Sequence, residues 1–206
     1  MNEVWVSFPL LSQGFLAPVH SDIRLADLKH AGTIARLYDD GVLLDAAQLP
    51  GAFFGKYRDK PVGTLPDFFL AGGYYCVSAA CAGLLGQFQL GSGTLFPVPF
   101  FDYDRATAVE GSFFLLANLE RKEVLNPGHS IGVRRTYQGY DIWSPPVGAK
   151  KDGQVAVNDI DQVNADLWID PRLQLSLFFR GELVHAMRAD GLKVFPLMRC
   201  TVVAAG

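Results

Sequence analysis

The sequence predicts an α+β fold: a mixed or antiparallel sheet with few short helices, built as two pseudo-repeated strand–helix–strand units. Three observations predict it. Apolar residues come in short runs bounded by Gly and Pro, which suits buried strands. Helical spacing is brief where it occurs. From Glu182 to Asp190, Leu183, Val184 and Met187 fall on one face and Glu182, His185 and Arg188 fall away from it, before Gly191 supplies a left-handed stop. The pattern also echoes. Strand Leu175 to Phe179, that helix and Val194 to Val203 are matched earlier by Tyr74 to Val77, by Cys81, Leu84, Leu85 and Phe88, and by Leu95 to Val98, with Val194-Phe195-Pro196-Leu197 in the place of Leu95-Phe96-Pro97-Val98. Ser78 is the expected cap of the earlier helix.

Taken in order, Glu3 to Phe8 is a first strand, ended by Pro9. Ile23 to His30 reads as one helix. Ile34 to Leu44 reads as a hairpin turning at Asp40-Gly41, residues that tolerate a positive φ. Residues 50–66, dense in Gly, Pro, Lys and Arg, read as a connection. Ser112 to Leu119 is a further strand. Residues 126–153 form a long irregular segment holding one hairpin, and long loops carry function. The chain reads as one domain, 1–206, with a subdivision into 1–105 and 111–206 as the alternative.

With 206 residues and 50% hydrophobic content the chain is long enough to bury a substantial core. A net charge of −3 argues against a general nucleic-acid or anionic-membrane binder. No apolar run reaches a membrane-spanning length, and the acidic start MNEVWVSF is unlike a signal peptide, so the expected location is the cytoplasm. Cys76, Cys81 and Cys200 are odd in number and sit in apolar contexts, as reduced core thiols do.

The motifs of catalysis are missing. The four histidines have no i, i+4 pairing and the cysteines form no CxxC, so no metal is expected. Gly91-Ser92-Gly93 follows a helix instead of opening one, so it lacks the phosphate-cradling amides of a nucleotide loop, and no cofactor is expected. No GxSxG elbow occurs. The carboxylate pairs Asp39/Asp40, Asp102/Asp104 and Asp159/Asp161 leave one catalytic alternative, a small hydrolase or transferase using such a pair.

Recognition is the stronger reading. Tyr137, Tyr140 and Trp143, with Asp141 among them and Arg134 and Arg135 beside them, have the composition of an interface anchor: large rigid area with a polar tip. The competing reading of Trp143 is that it packs back on the core and pins the loop. Asp39, Asp40, Asp159 and Asp161 would steer a basic partner, such as a nucleic-acid-degrading enzyme.

The run Asp166-Leu167-Trp168-Ile169-Asp170, then Leu177-Phe178-Phe179, Leu183, Ala186, Gly191-Leu192 and Phe195, resembles a family of bacterial immunity proteins encoded beside polymorphic toxins. So does Leu65 to Phe69, LPDFF, ahead of a strand and helix. The resemblance covers roughly residues 65–203 and is clearest in the last forty. It departs at Arg180-Gly181, where a serine-type cap is expected. What it implies is a single-domain, non-enzymatic protein that binds, one-to-one, the C-terminal domain of a cognate toxin, in this family often one delivered between bacteria by a type VI system. Such a protein occludes or distorts the toxin's active site and carries no catalytic residues.

Overall fold

A computed structural model describes residues 3–148, 150–158, 160 and 163–204. In chain order the elements are β1 (Val4–Ser7), a 3-10 turn (Pro9–Leu11), β2 (Leu16–Ala17), β3 (Val19–Ser21), α1 (Asp22–Ala26), α2 (Leu28–Asp39), β4 (Phe53–Gly55), β5 (Phe68–Ala71), β6 (Tyr74–Ser78), α3 (Ala79–Leu85), β7 (Thr94–Pro97) and β8 (Phe100–Phe101). The chain continues with β9 (Phe113–Ala117), β10 (Glu120–Arg121), β11 (Arg134–Arg135), β12 (Trp143–Ser144), β13 (Ala156–Asn158), β14 (Leu167–Ile169), β15 (Leu177–Arg180), α4 (Gly181–Ala189), β16 (Met198–Arg199) and β17 (Thr201–Val203). The fold is α+β, with mixed sheets and two strand–helix–strand units.

Two five-stranded sheets repeat one plan. Their orders are β2-β5-β6-β9-β7 and β10-β14-β15-β1-β16. In each, the first pair is parallel and the others antiparallel. Along the chain each repeat runs strand, short edge strand, hairpin pair, helix, last strand. The first strands are exchanged: β1 lies between β15 and β16 of the second sheet, and β9 lies between β6 and β7 of the first. The registers match, Ser78 facing Phe113 as Arg180 faces Val4.

A reciprocal latch ties the repeats. The Asp67 amide donates to the Lys193 carbonyl at 2.9 Å and the Lys193 amide returns to Asp67 Oδ2 at 2.8 Å. At the twin position the Asp166 amide donates to the Gln89 carbonyl at 2.6 Å, and the Gln89 amide to Asp166 Oδ2 at 2.8 Å. Each aspartate of one repeat thus grips the segment after the other repeat's helix.

Both faces of both sheets are covered, so their strands read as continuous apolar runs. Alternate residues divide between two clusters. Trp5, Phe68, Val77, Leu167, Leu177 and Phe179 face a central core shared with Cys81 and Leu85 of α3 and Leu183 and Met187 of α4. Phe69 and Cys76 face an outer core roofed by α2 and β4, while Val6, Trp168 and Phe178 face one roofed by residues 124–157. Burying each such side chain fully is worth about 1.5–3 kcal/mol before the entropy of ordering it.

Three local expectations are corrected. Ile34 to Leu44 is not a hairpin: α2 runs to Asp39, because Asp27 caps it by accepting the Lys29 and His30 amides and Ala31 and Ile34 recur on its buried side. Ile23 to His30 is two helices for the same reason, since Asp27 leaves helical geometry to serve as that cap. The Phe-Pro echo is out of register. Phe96 pairs with Leu115 as Met198 pairs with Val6, so Met198 is the true counterpart of Phe96, and Phe195 turns instead into the central core.

Candidate functional site

The end of α2 meets the second repeat across a cleft of about 370 Å³, lined by Asp39, Asp40, Tyr75, Arg121, Leu10, Ile142 and residues 169–176 apart from Arg172. One wall is held by Tyr38. Its hydroxyl donates to the Leu116 carbonyl at 2.7 Å and accepts the Tyr75 amide at 3.1 Å, which fixes α2 to the first sheet. Burial pushes the Tyr38 phenol well above its ordinary pKa. The chain leaves the helix through Gly41, whose φ of +75° suits glycine and whose missing side chain leaves room for Arg121. Arg121 donates to the Asp39 carbonyl at 2.8 Å.

Asp39 and Asp40 therefore sit at the C-terminal, electronegative end of α2, where carboxylates are unfavourable. Asp39 keeps exposed surface, yet partial desolvation, then the charge of Asp40, raises its carboxyl above the usual range, and Arg121 offsets part of this. The partly buried Tyr75 phenol is also raised, first by desolvation and then by Asp39. Among the described residues no hydrogen-bond partner of the Tyr75 hydroxyl is found.

The other wall is pinned from below. Asp170 is wholly buried and accepts the Val124, Leu125 and Arg172 amides at 2.7, 2.6 and 2.9 Å. Ser176 Oγ donates to the Leu173 carbonyl at 2.6 Å. Between these pegs Leu175 takes a φ of +60°, a left-handed conformation unfavourable for a branched L-residue. Its side chain is 42% exposed, and Leu10, across the cleft, is 49% exposed.

The Tyr137–Trp143 loop is a hairpin of β11 and β12. Trp143 packs against the second outer core and donates from Nε1 to Asp141 Oδ1 at 2.7 Å. Asp141 also lies 3.5 Å from Arg172, and with the indole hydrogen bond as the leading cause its pKa is lowered. Trp143 and Asp141 thus brace the loop. Tyr137 and Tyr140 remain 57% and 66% exposed, and Ile142 reaches the cleft. The fold brings Asp39 and Asp40 to the same cleft as this loop's Ile142. Asp159 and Asp161 lie outside the described residues. Sequence reasoning missed Leu10, Tyr75, Arg121 and Leu175. Only the Leu10-Leu11 pair placed directly after a proline carried a signal.

The other chemistry-bearing groups are engaged. Asp102 accepts the Val62 amide, which ties two segments distant in sequence, and Asp104 accepts the Ala106 and Thr107 amides and the Thr107 hydroxyl, which builds a turn. Burial raises the Cys76 thiol and, as the larger cause beside Asp67, pushes Cys81 up to about 12, leaving both unreactive. Among the described residues no three His, Cys, Asp or Glu side chains converge to hold a metal ion. No helix there is long and apolar enough to cross a membrane. A larger hollow of about 670 Å³ lies beside the start of α4, but its charges are largely matched: His185 Nε2 to Glu3 at 2.8 Å, Arg180 to Asp166 at 3.5 Å and to the Val163 carbonyl at 2.5 Å.

No family model matches the chain, and no match to it is found among curated proteins.

Proposed function

We propose that the protein is a cytoplasmic immunity protein that binds a cognate secreted antibacterial toxin one-to-one and neutralises it by occluding or distorting its active site. The observation that carries this reading is the convergence at one cleft of features that cost stability without serving the fold: two carboxylates at a helix C-terminus, a left-handed leucine and exposed apolar side chains. Strain and exposed apolar surface collect where a partner completes the structure. Tyr137 and Tyr140 extend the same reading beyond the cleft as rigid anchors, with the carboxylates setting orientation and on-rate. The residues that resemble the immunity family agree with it at the level of scaffold only, since Leu167, Leu177, Phe179, Leu183 and Phe195 are central-core residues.

The test is co-expression with the toxin domain encoded in the neighbouring reading frame. Growth rescue together with a stable one-to-one complex is expected. Absence of rescue removes the reading for that pair.

A second reading has one observation in its favour: a carboxylate pair in a cleft with one member raised, as acid–base catalysis requires. A hydrolase or transferase using Asp39 and Asp40 would rescue growth without forming a complex.

A further inference from the structure

We propose that the cleft between α2 and residues 169–176 receives an arginine side chain of the partner, set between apolar neighbours. The proposal rests on reading the chain as a partner-binding protein and adds what the partner must present. The argument is one of charge and shape. Asp39 and Asp40 place two carboxylates at the negative end of a helix dipole. Arg121 also lines the cleft, and it is already bonded to the Asp39 carbonyl. Against that one positive charge, and with Asp170 paired to Arg172, Asp39 and Asp40 leave one negative charge in excess. An anion would be repelled, and a purely apolar occupant would dehydrate both carboxylates without replacing their water.

The acceptors come from three side chains lining the cleft, those of Asp39, Asp40 and Tyr75. The Tyr75 hydroxyl has no hydrogen-bond partner among the described residues, and the planar guanidinium fork carries five donors to match several acceptors at once. Leu10, Leu70, Ile142, Ile169, Leu173 and Leu175 add apolar lining, beside Gln174, Ser176 and the buried Asp170, whose oxygens are taken by backbone amides and Arg172. Such walls suit the aliphatic stem of a long basic side chain, whose charged head stays with the acceptors. The volume of about 370 Å³ is at the small end of ligand pockets, enough for one such side chain and the edge of its neighbours. The left-handed backbone at Leu175 places that side chain at the cleft, where it would cover the apolar flank of the arriving segment.

The test uses the full chain and a probe peptide, acetyl-Leu-Arg-Leu-amide. The comparison peptides replace arginine by citrulline, which keeps the shape and removes the charge, or by glutamate. Methyl NMR shifts of Leu10, Leu175 and Ile142 are followed on titration. Saturable shifts at these methyls with the arginine peptide are expected, weakened at least about tenfold by citrulline and absent with glutamate. The double variant Asp39→Asn, Asp40→Asn should lose the same factor while melting no lower than the parent, which separates lost binding from lost fold. Equal binding of the citrulline peptide, shifts centred elsewhere, no saturable shifts, or unchanged binding by the folded double variant would each overturn the proposal. Failure of the immunity reading looks different: the wild-type protein would not rescue growth from the toxin although the arginine peptide still binds.

Discussion

The two repeats share a backbone plan and differ in how they finish it. In the first, β5 turns into β6 through Gly72-Gly73, and Ser78 caps α3 by accepting the Cys81 amide at 3.2 Å while its hydroxyl donates to Asp67 at 2.6 Å. In the second, β14 reaches β15 through residues 170–176, and Arg180 stands at the cap position without capping. Its guanidinium instead reaches the Ile160, Val163 and Ala165 carbonyls. The first repeat closes tightly with small residues, while the second spends a long connection and an arginine to hold inserted chain. The candidate site lies where the symmetry fails, between the α2 insertion of one repeat and the long connection of the other. Shared topology builds the two sheets, and the proposed binding site is assembled from departures from it.

The strand exchange gives the largest expected effect. Removing residues 1–8 takes a central strand from the second sheet although the segment belongs to the first repeat. The loss of Val4, Trp5, Val6 and Phe8, all buried, at about 1.5–3 kcal/mol each, is comparable with the roughly 5–15 kcal/mol that holds a domain together. Circular dichroism should then show an unfolded or molten chain. In the same way, cutting the exposed loop at residues 104–107 should give fragments that fold only when mixed. A cooperative melt from the isolated 109–206 fragment would break the comparison, because it would mean the exchange is not needed. Trp5→Ala is the graded version, costing about 3–5 kcal/mol by denaturant titration.

The latch sharpens the comparison at intermediate scale. Asp67→Ala and Asp166→Ala each leave a backbone amide across the repeat boundary without its carboxylate, a loss of about 1–3 kcal/mol in chemical denaturation. Asp67→Ala also strips the Ser78 hydroxyl of its acceptor. At the caps, Ser78→Ala should cost about 1 kcal/mol. Copying the first repeat's solution into the second, Arg180→Ser, should destabilise nonetheless. A new cap of similar worth cannot replace bonds to three carbonyls. A stabilised Arg180→Ser protein would show that the two caps are interchangeable and that the arginine serves something other than the inserted chain.

Much of this architecture was legible in the residues. The runs Phe68–Ala71, Tyr74–Val77 and Leu177–Phe179 are apolar at every position because both sheet faces are covered, and the helix over 182–190 announces itself by spacing and by Gly191. The exchange was not legible. Strand pairing between residues 4–7 and 177–180 is a long-range choice that local pattern does not encode. The α2 helix was hidden by Asp40-Gly41, which has the chemistry of a hairpin turn as well as of a helix end. Of the candidate site, the carboxylates and the aromatic loop could be read from composition. Leu175 could not, since nothing in a leucine foretells a left-handed backbone set by hydrogen bonds on either side of it. The loop's division of labour, with Trp143 and Asp141 bracing and Tyr137 and Tyr140 exposed, depends on Arg172 arriving from the other side of the hairpin.

The smallest effect is the most specific to the cleft. Asp39 holds its proton more tightly in the folded chain than in the unfolded one, mainly because of partial desolvation and then Asp40. The sign follows from linkage. Stability from this group is fully present below the unfolded carboxylate value and is lost as pH rises through the higher folded value, so at neutral pH the ionised carboxylate opposes folding. Asp39→Asn should therefore stabilise the protein at pH 7 by a few tenths of a kcal/mol to about 1 kcal/mol, the worth of one unfavourable charge at a helix terminus. The gain should shrink toward zero at pH values below the usual aspartate range, where the parent is protonated in both states. Thermal melts of parent and variant across that window measure it. A stabilising substitution that also weakens toxin binding would place the carboxylate among groups retained for recognition at the expense of the fold. A destabilising one would make Asp39 a structural residue, and the asymmetry between the two repeats would then carry no functional meaning at this position.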